Sequence, residues 1–194
     1  MKQYEEKLKK FICDNDIKAE HLTFNQSCHS VKEAALAVNA DCEDFVKNIC
    51  MISDGNSTGN LDNDHAHGDD HTYHTHGDDH TPDVPDNYNH NHAHDTPALI
   101  VAIIKGEDKV DKKKVAEIVQ NKVKMAKPSE ILEKTGYPCG GTPSFGYNAR
   151  FLVDERVLEK EVVYTGGGSE TSLVKIHTKE LLRVNGGKIA RLRL

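Results

Sequence analysis

An α+β domain, built on a mixed and mainly antiparallel sheet flanked by short helices, is the fold class this sequence predicts, on three observations. Strand-like and helix-like segments are interspersed along the 194 residues without regular βαβ units. Several strand pairs are joined by hairpin-length connections. The chain is long enough for one domain with a substantial core.

Taken in order, Tyr4, Leu8, Phe11 and Ile12 recur at helical spacing among lysines and glutamates, which gives an amphipathic first helix with one apolar stripe. His21-Leu-Thr-Phe24 reads as a short strand. Ser30-Val-Lys-Glu33 has the form of a capping box, in which the serine accepts from an early helix amide and the glutamate reaches back, ahead of an alanine-rich helix over 34–38. Residues 41–45 turn the chain. Residues 45–53 then mix apolar and small side chains in a strand that contains Lys47. An ammonium is costly to desolvate unless it is paired or reaches a cleft. Strand alternation equally allows Lys47 to face solvent, and periodicity alone leaves both open.

Residues 54–97 are of another kind. They hold ten of the 31 acidic residues, all aspartate, and no Lys, Arg or Glu, so the rest carries 21 acids against 25 bases. The net charge of −6 is thus −10 in this segment and +4 elsewhere. A mildly basic body permits contact with a polyanion but lacks the basic stripe that would by itself declare a nucleic-acid binder. The segment also contains a tandem nine-residue repeat and nine of the twelve histidines: His65, His67, His71, His74, His76, His80, His90, His92 and His94. With few apolar side chains it is expected to be disordered, because nothing offsets a backbone ordering cost of roughly 1–2 kcal/mol per residue. Its histidines and aspartates are good ligands for zinc or nickel, adventitiously or in regulation. The expected organisation is one domain over residues 1–194, interrupted by this insertion.

Residues 98–104 form a continuous apolar run closed by Lys-Gly, suited to a central strand. If it pairs with 45–53, the histidine segment occupies a hairpin loop, where length costs little. Asp111 caps a helix to about Lys122, with Val115, Ile118 and Val119 inward and Val110 and Val115 as a hydrophobic staple. Residues 123–126 suggest a brief strand. Pro128-Ser-Glu starts a short helix that ends at Gly136. Strands follow over 151–155, 161–164 and 172–177, then a helix over 178–184 stopped by Asn-Gly-Gly and a final strand over 189–194.

Thr135-Gly-Tyr-Pro-Cys-Gly-Gly-Thr-Pro-Ser-Phe-Gly146 is too rich in glycine and proline for a helix interior or a central strand. It reads as a stiff, shaped loop whose glycines allow backbone to lie against a ligand. Gly166-Gly-Gly-Ser169 lies a short hairpin downstream. Taken alone, both clusters also read as tight turns. Five cysteines (13, 28, 42, 50 and 139) show no CxxC pair, which argues for reduced thiols rather than a disulfide scaffold. The charged N-terminus is unlike a signal peptide, and no apolar run approaches the roughly 18 residues of a membrane span. The expectation is a soluble, cytoplasmic protein.

The one Gly-x-Ser-x-Gly string, Gly55-Asn-Ser-Thr-Gly59, falls in the polar 54–97 segment and not between a strand and a helix, so it is no nucleophile elbow, and the sequence has no Gly-x-x-x-x-Gly-Lys phosphate loop and no His-Glu-x-x-His. Cys139 lacks a visible base partner and reads as an incidental thiol, and His29 as a loop residue. Composition and periodicity therefore give a core, a stiff loop, an odd lysine and a histidine insert, without an activity.

Several pieces in order do suggest one: Ser30-Val-Lys-Glu-Ala-Ala35, Phe45-Val-Lys-Asn-Ile49, the run 98–104 with Gly106 and Asp111, Ala126-Lys-Pro-Ser-Glu-Ile131, Thr135-Gly-Tyr-Pro-Cys-Gly-Gly141, Ser144-Phe-Gly146, Phe151-Leu-Val-Asp-Glu155 and Val163-Tyr-Thr-Gly-Gly-Gly-Ser169. As an ordered set spanning nearly everything outside 54–97, they resemble the YbaK/ProX family of aminoacyl-tRNA deacylases, also found as the editing insertion of bacterial prolyl-tRNA synthetase. The resemblance implies that family's fold and hydrolysis of the ester joining a wrongly attached amino acid to a tRNA. Such an ester is already activated, so positioned water and stabilised charge suffice without a triad.

Carried over by position, the resemblance makes Lys47 the charged anchor, holding the terminal phosphate or the amino end of the substrate. Gly140 and Gly141 join it as catalytic residues that shape the pocket and place the water. Substrate contact falls to Ser30, Thr142, Pro143, Ser144, Phe145 and Gly146, with Gly167, Gly168 and Ser169 as a second wall. A neighbouring tRNA ribose hydroxyl is implied to assist. No cofactor is implied. The partners are the acceptor end of an aminoacyl-tRNA and an aminoacyl-tRNA synthetase, with neither membrane nor DNA. The family loop commonly reads Gly-x-x-x-Pro-Phe-Gly, and here Ser144 stands at the proline position with Pro143 one place earlier. Two other classes remain open from sequence: a non-catalytic module of the same fold that binds a tRNA end or a synthetase, and a metal-handling protein acting through its histidines.

Overall fold

The computed structural model describes residues 2–53 and 99–194. The histidine segment, with its expected disorder and nine candidate metal ligands, lies outside the described residues. Among those described, no group of three or more His, Cys, Asp or Glu side chains is placed to hold a metal ion.

Among the described residues, five helices, α1 (Lys2–Asp14), α2 (Val31–Val38), α3 (Lys112–Val119), α4 (Pro128–Thr135) and α5 (Thr178–Asn185), accompany eight strands. The strands are β1 (Ala19–Thr23), β2 (Val46–Ser53), β3 (Leu99–Lys105), β4 (Val123–Met125), β5 (Arg150–Asp154), β6 (Val162–Gly166), β7 (Ser172–His177) and β8 (Lys188–Ala190). The expected α+β architecture is present, but its strands divide into two sheets. One has the order β4-β2-β3-β5-β8, antiparallel through β4, β2 and β3 and parallel through β3, β5 and β8. The other is an antiparallel β1-β7-β6 sheet. A parallel bridge between Phe45 and Tyr164 joins them, and the two rings stack with centroids 5.0 Å apart.

β3 shows why its sequence is apolar at every position. Leu99, Val101 and Ile103 enter a core shared with Leu8 of α1, Ile131 of α4 and Leu181 of α5. Ile100, Ala102 and Ile104 enter a second core under Val115 and Val119 of α3. Both faces of the strand are covered, so alternation disappears. β2 pairs with it from Val46 opposite Lys105 to Ile52 opposite Leu99, as the predicted hairpin requires. α2 begins with the predicted capping box, Ser30 Oγ accepting from the Glu33 amide at 3.2 Å and the Glu33 carboxylate accepting from the Ser30 amide at 3.0 Å.

Two boundaries differ most from the sequence reading. α3 stops at Val119 rather than near Lys122, because Gln120 takes a left-handed conformation (φ 57°) and its amide closes the helix onto Ala116 and Glu117. The predicted last strand, 189–194, leaves its sheet after Ala190. Buried Asp154 at the end of β5 accepts from the Leu192 amide at 2.7 Å and from Arg193 Nη1 at 2.6 Å, drawing the chain toward Val110 instead.

Lys105, at the end of β3, is 3% exposed and bonds Glu43 at 2.7 Å and Glu159 at 3.0 Å. Burial alone would push its pKa down, but the two hydrogen bonds overcome this and hold it above its usual value. The same bonds hold both carboxyls below their usual 4.5. A carboxylate with a depressed folded pKa contributes stability above its unfolded value and loses it as the pH falls through the folded one. Acid destabilisation should therefore steepen below pH 4.5, and Glu43→Gln should make that decline shallower. Urea melts from neutral pH downward check this; parallel curves for the two proteins would overturn it.

Candidate active site

β4 reaches only Met51–Ser53, so the first half of β2 has an open edge beyond it. A cavity of about 160 Å³ lies against that edge. Its walls come from β2 (Val46, Lys47, Asn48), the approach to α2 (His29, Ser30), the glycine loop (Cys139, Gly140, Thr142) and the end of β6 (Tyr164, Thr165, Gly166). The lysine, the capping serine and the loop, far apart in sequence, thus meet at one pocket.

Lys47 is half-buried, and among the described residues it makes no hydrogen bond or ion pair. Burial lowers its pKa first of all; Asp108 nearby opposes this and Lys109 adds to it. The Asp108 carboxylate bonds Arg156 through Oδ1 at 2.8 Å, and its other oxygen is buried without a partner. Lys47 is therefore a cation whose neighbours leave it uncommitted. Along β2, Val46 and Cys50 face one core and Ile49 and Met51 the other. Lys47 lies on the Ile49 side by alternation, at the open edge from which it borders the cavity.

The glycine loop is held by its neighbours. Gly136 ends α4 with φ 70°. Pro138 O accepts from the Gly141 amide at 3.1 Å and from Thr142 Oγ1 at 3.0 Å. Gly140 has φ 89°, and a Cβ there would stand 2.8 Å from His29 Nδ1. The amides of Gly140 and Thr142 donate to no acceptor among the described residues, which leaves two uncommitted backbone donors in residues that line the pocket.

The other expected site residues lie behind that wall. Gly141 O accepts from the Gly168 amide at 2.7 Å, so the two glycine clusters touch directly. Gly168 (φ 100°) backs onto Tyr4 of α1, and Ser169 donates to buried Glu5 at 2.5 Å. Gly166, rather than Gly167, Gly168 or Ser169, borders the cavity. Phe145 is fully buried and stacks on Phe11, with Gly146 (φ 90°) beside the same ring. Pro143 O accepts from Tyr147 Oη at 2.8 Å.

Sequence reasoning missed Asn48 and Thr165. Asn48 Nδ2 donates to Thr142 O at 2.8 Å and to Thr165 Oγ1 at 3.2 Å. Ser144 Oγ donates to Asn48 Oδ1 at 2.6 Å and lies 2.6 Å from Thr165 Oγ1. The available signal was the polar Asn48 directly after Lys47, where a buried strand should continue apolar.

Three thiols also line the cavity. Burial pushes Cys50 up to about 12 and raises Cys28, so both stay protonated and are poor nucleophiles. Cys139 has no hydrogen-bond partner among the described residues, and His29, which lines the same cavity, lies 3.4 Å from Glu170. No nucleophile–base pair is assembled among the described residues. What remains is a free cation, two free backbone donors and a small cavity, suited to orienting water and stabilising negative charge.

Residues 91–184 match the family described as the aminoacyl-tRNA editing domain. The family resemblance read from the sequence is thereby confirmed. The particular relatives are less informative. An uncharacterized protein of Bacillus subtilis (strain 168), YwhH, is 29% identical over 93 residues, 47% of this chain, which spans 59% of that relative's length. A crystal structure described as a candidate trans-editing enzyme for prolyl tRNA synthetase superposes with a TM-score of 0.73 at 20% identity, over 98% of this chain and 97% of that one. The hypothetical protein APE2540 superposes with 0.70 at 20% identity, over 97% and 99%. These likenesses establish the fold. No helix among the described residues is long and apolar enough to cross a membrane.

Proposed function

We propose that this protein hydrolyses the ester between a small, wrongly attached amino acid and the 3′ end of a tRNA, acting in trans in the cytoplasm. The observation that carries the proposal is the uncommitted Lys47 ammonium on the same cavity as the free amides of Gly140 and Thr142. An ammonium without a partner suits the phosphate of the terminal nucleotide. The two amides suit the oxyanion that forms when water adds to the ester carbonyl, after which the ribose oxygen leaves with a proton and the free amino acid departs. An ester needs no protein nucleophile for this, which fits a pocket whose buried thiols are protonated. The cavity, about 160 Å³, suits a small side chain. The editing-domain family supports the reaction class.

The test is loss of ester from a panel of tRNAs charged with cognate and non-cognate amino acids, followed with radiolabelled amino acid. Faster hydrolysis of at least one mischarged member over the uncatalysed rate is expected. Full retention of label on every member would overturn the proposal and favour a binding module of the same fold.

A further inference from the structure

We infer that Ser144, which does not itself border the cavity, is a positioning residue that locks three walls of the pocket together through a closed ring of hydrogen bonds. The inference takes the pocket to be the editing site proposed above. Thr142 O can only accept, so the Asn48 amide must present Nδ2 to it at 2.8 Å and turn Oδ1 the other way. The second Nδ2 hydrogen goes to Thr165 Oγ1 at 3.2 Å. Asn48 Oδ1 then takes the single hydroxyl hydrogen of Ser144 at 2.6 Å. With that hydrogen spent, the 2.6 Å contact between Ser144 and Thr165 requires Thr165 to donate.

The bonds therefore run in one direction around the ring, Asn48 to Thr165 to Ser144 and back to Asn48. Each hydroxyl donates once and accepts once, the arrangement in which neighbouring hydrogen bonds polarise one another. Ser144 is 0% exposed and Thr165 1%, so water cannot replace a lost member easily. Each corner belongs to a different wall: Asn48 follows Lys47 in β2, Ser144 follows Thr142 in the loop, and Thr165 precedes Gly166 in β6. Asn185 Nδ2 adds a bond to Ser144 O at 3.2 Å and ties in the end of α5. Proline at position 144, common in the family loop, would leave Asn48 Oδ1 and the Thr165 hydroxyl without these partners. The departure from the family pattern is thus matched by the two residues that bond it. With its only hydrogen committed, Ser144 acts through its neighbours and not on substrate.

The test uses Ser144→Ala, Thr165→Val and Thr165→Ser in the full chain, with two readouts. By NMR, the Asn48 side-chain amide hydrogens should exchange slowly with solvent in the wild type and in Thr165→Ser, and at least tenfold faster in Ser144→Ala. In deacylation, Ser144→Ala and Thr165→Val should each lower kcat roughly 10- to 100-fold with a smaller change in KM, the scale of loss from a wall displaced by about 1 Å. Thr165→Ser should restore the rate, and the double variant should be no worse than either single one. Unchanged amide exchange in Ser144→Ala, or single-variant losses that simply multiply, would overturn the ring. A wild type inactive on the whole panel would instead sink the editing reading, since the amide readout needs no substrate.

Discussion

Lys47→Ala is expected to lower kcat/KM for a mischarged tRNA by about 100-fold or more, while Lys47→Met raises the melting temperature. The first follows from removing a preorganised charge at the reacting site, a change that commonly costs 10²–10³ in rate. The second follows from the same isolation that makes Lys47 useful. Burial holds its pKa below the usual 10.5 in the folded protein. The folded state therefore binds the proton less tightly than the unfolded one, and the charged lysine opposes folding at all pH values below that lowered pKa. The opposition is relieved only as the pH rises through the lowered value toward the unfolded one. An uncharged side chain of similar length removes it at neutral pH. Deacylation kinetics and thermal melts on both variants check the pair of effects. Full activity in Lys47→Ala, or a lower melting temperature in Lys47→Met, would show that the lysine serves the fold instead.

Gly141→Ala should be the most damaging small substitution in the loop. An added Cβ would lie 2.6 Å from Ser169 N, 2.7 Å from Ser169 Cα and 2.8 Å from Gly168 C, all backbone atoms that cannot swing aside. One cluster must retreat from the other, breaking the bond from the Gly168 amide to Gly141 O. Overpacking of this kind costs roughly 1–3 kcal/mol. Each kcal/mol lowers Tm by about 2–4 °C in a chain of this size. Gly186→Ala provides the contrast, because its φ of 60° carries a conformational cost but its Cβ meets nothing within 4 Å. Calorimetry should find Gly141→Ala the less stable of the two, with activity lost because Gly140 and Thr142 move with the loop. Equal stability would refute the contact argument.

Much of this was legible in the sequence where the cause is local. The capping box at Ser30, the apolar run of β3 and the glycine that ends α4 each carry their own signal within a few residues, and each stands where expected. Lys47 was legible as an anomaly, an ammonium in an apolar strand. The ring was not, because Ser144 and Asn48 are 96 positions apart and Thr165 and Asn48 117. Nothing near any one of them marks the others. The triple glycine was misleading for a related reason. Its second and third members serve close packing against α1 and β7 rather than a ligand, and glycine supplies the same freedom for either purpose. Glu5, on a helix that reads as amphipathic and solvated, is 6% exposed because Ser169 meets it there.

The pairing of Ile52 with Leu99 has a consequence for how such a chain can change. The backbone departs and returns at adjacent rungs of one ladder, so the two ends of anything spliced between them are already held together by the sheet. Lengthening that stretch adds only a logarithmic entropy cost, about 0.6 kcal/mol per doubling. The hairpin is in this sense a socket, through which sequence of unrelated composition can be gained or exchanged without renegotiating the register of the strands that build the pocket.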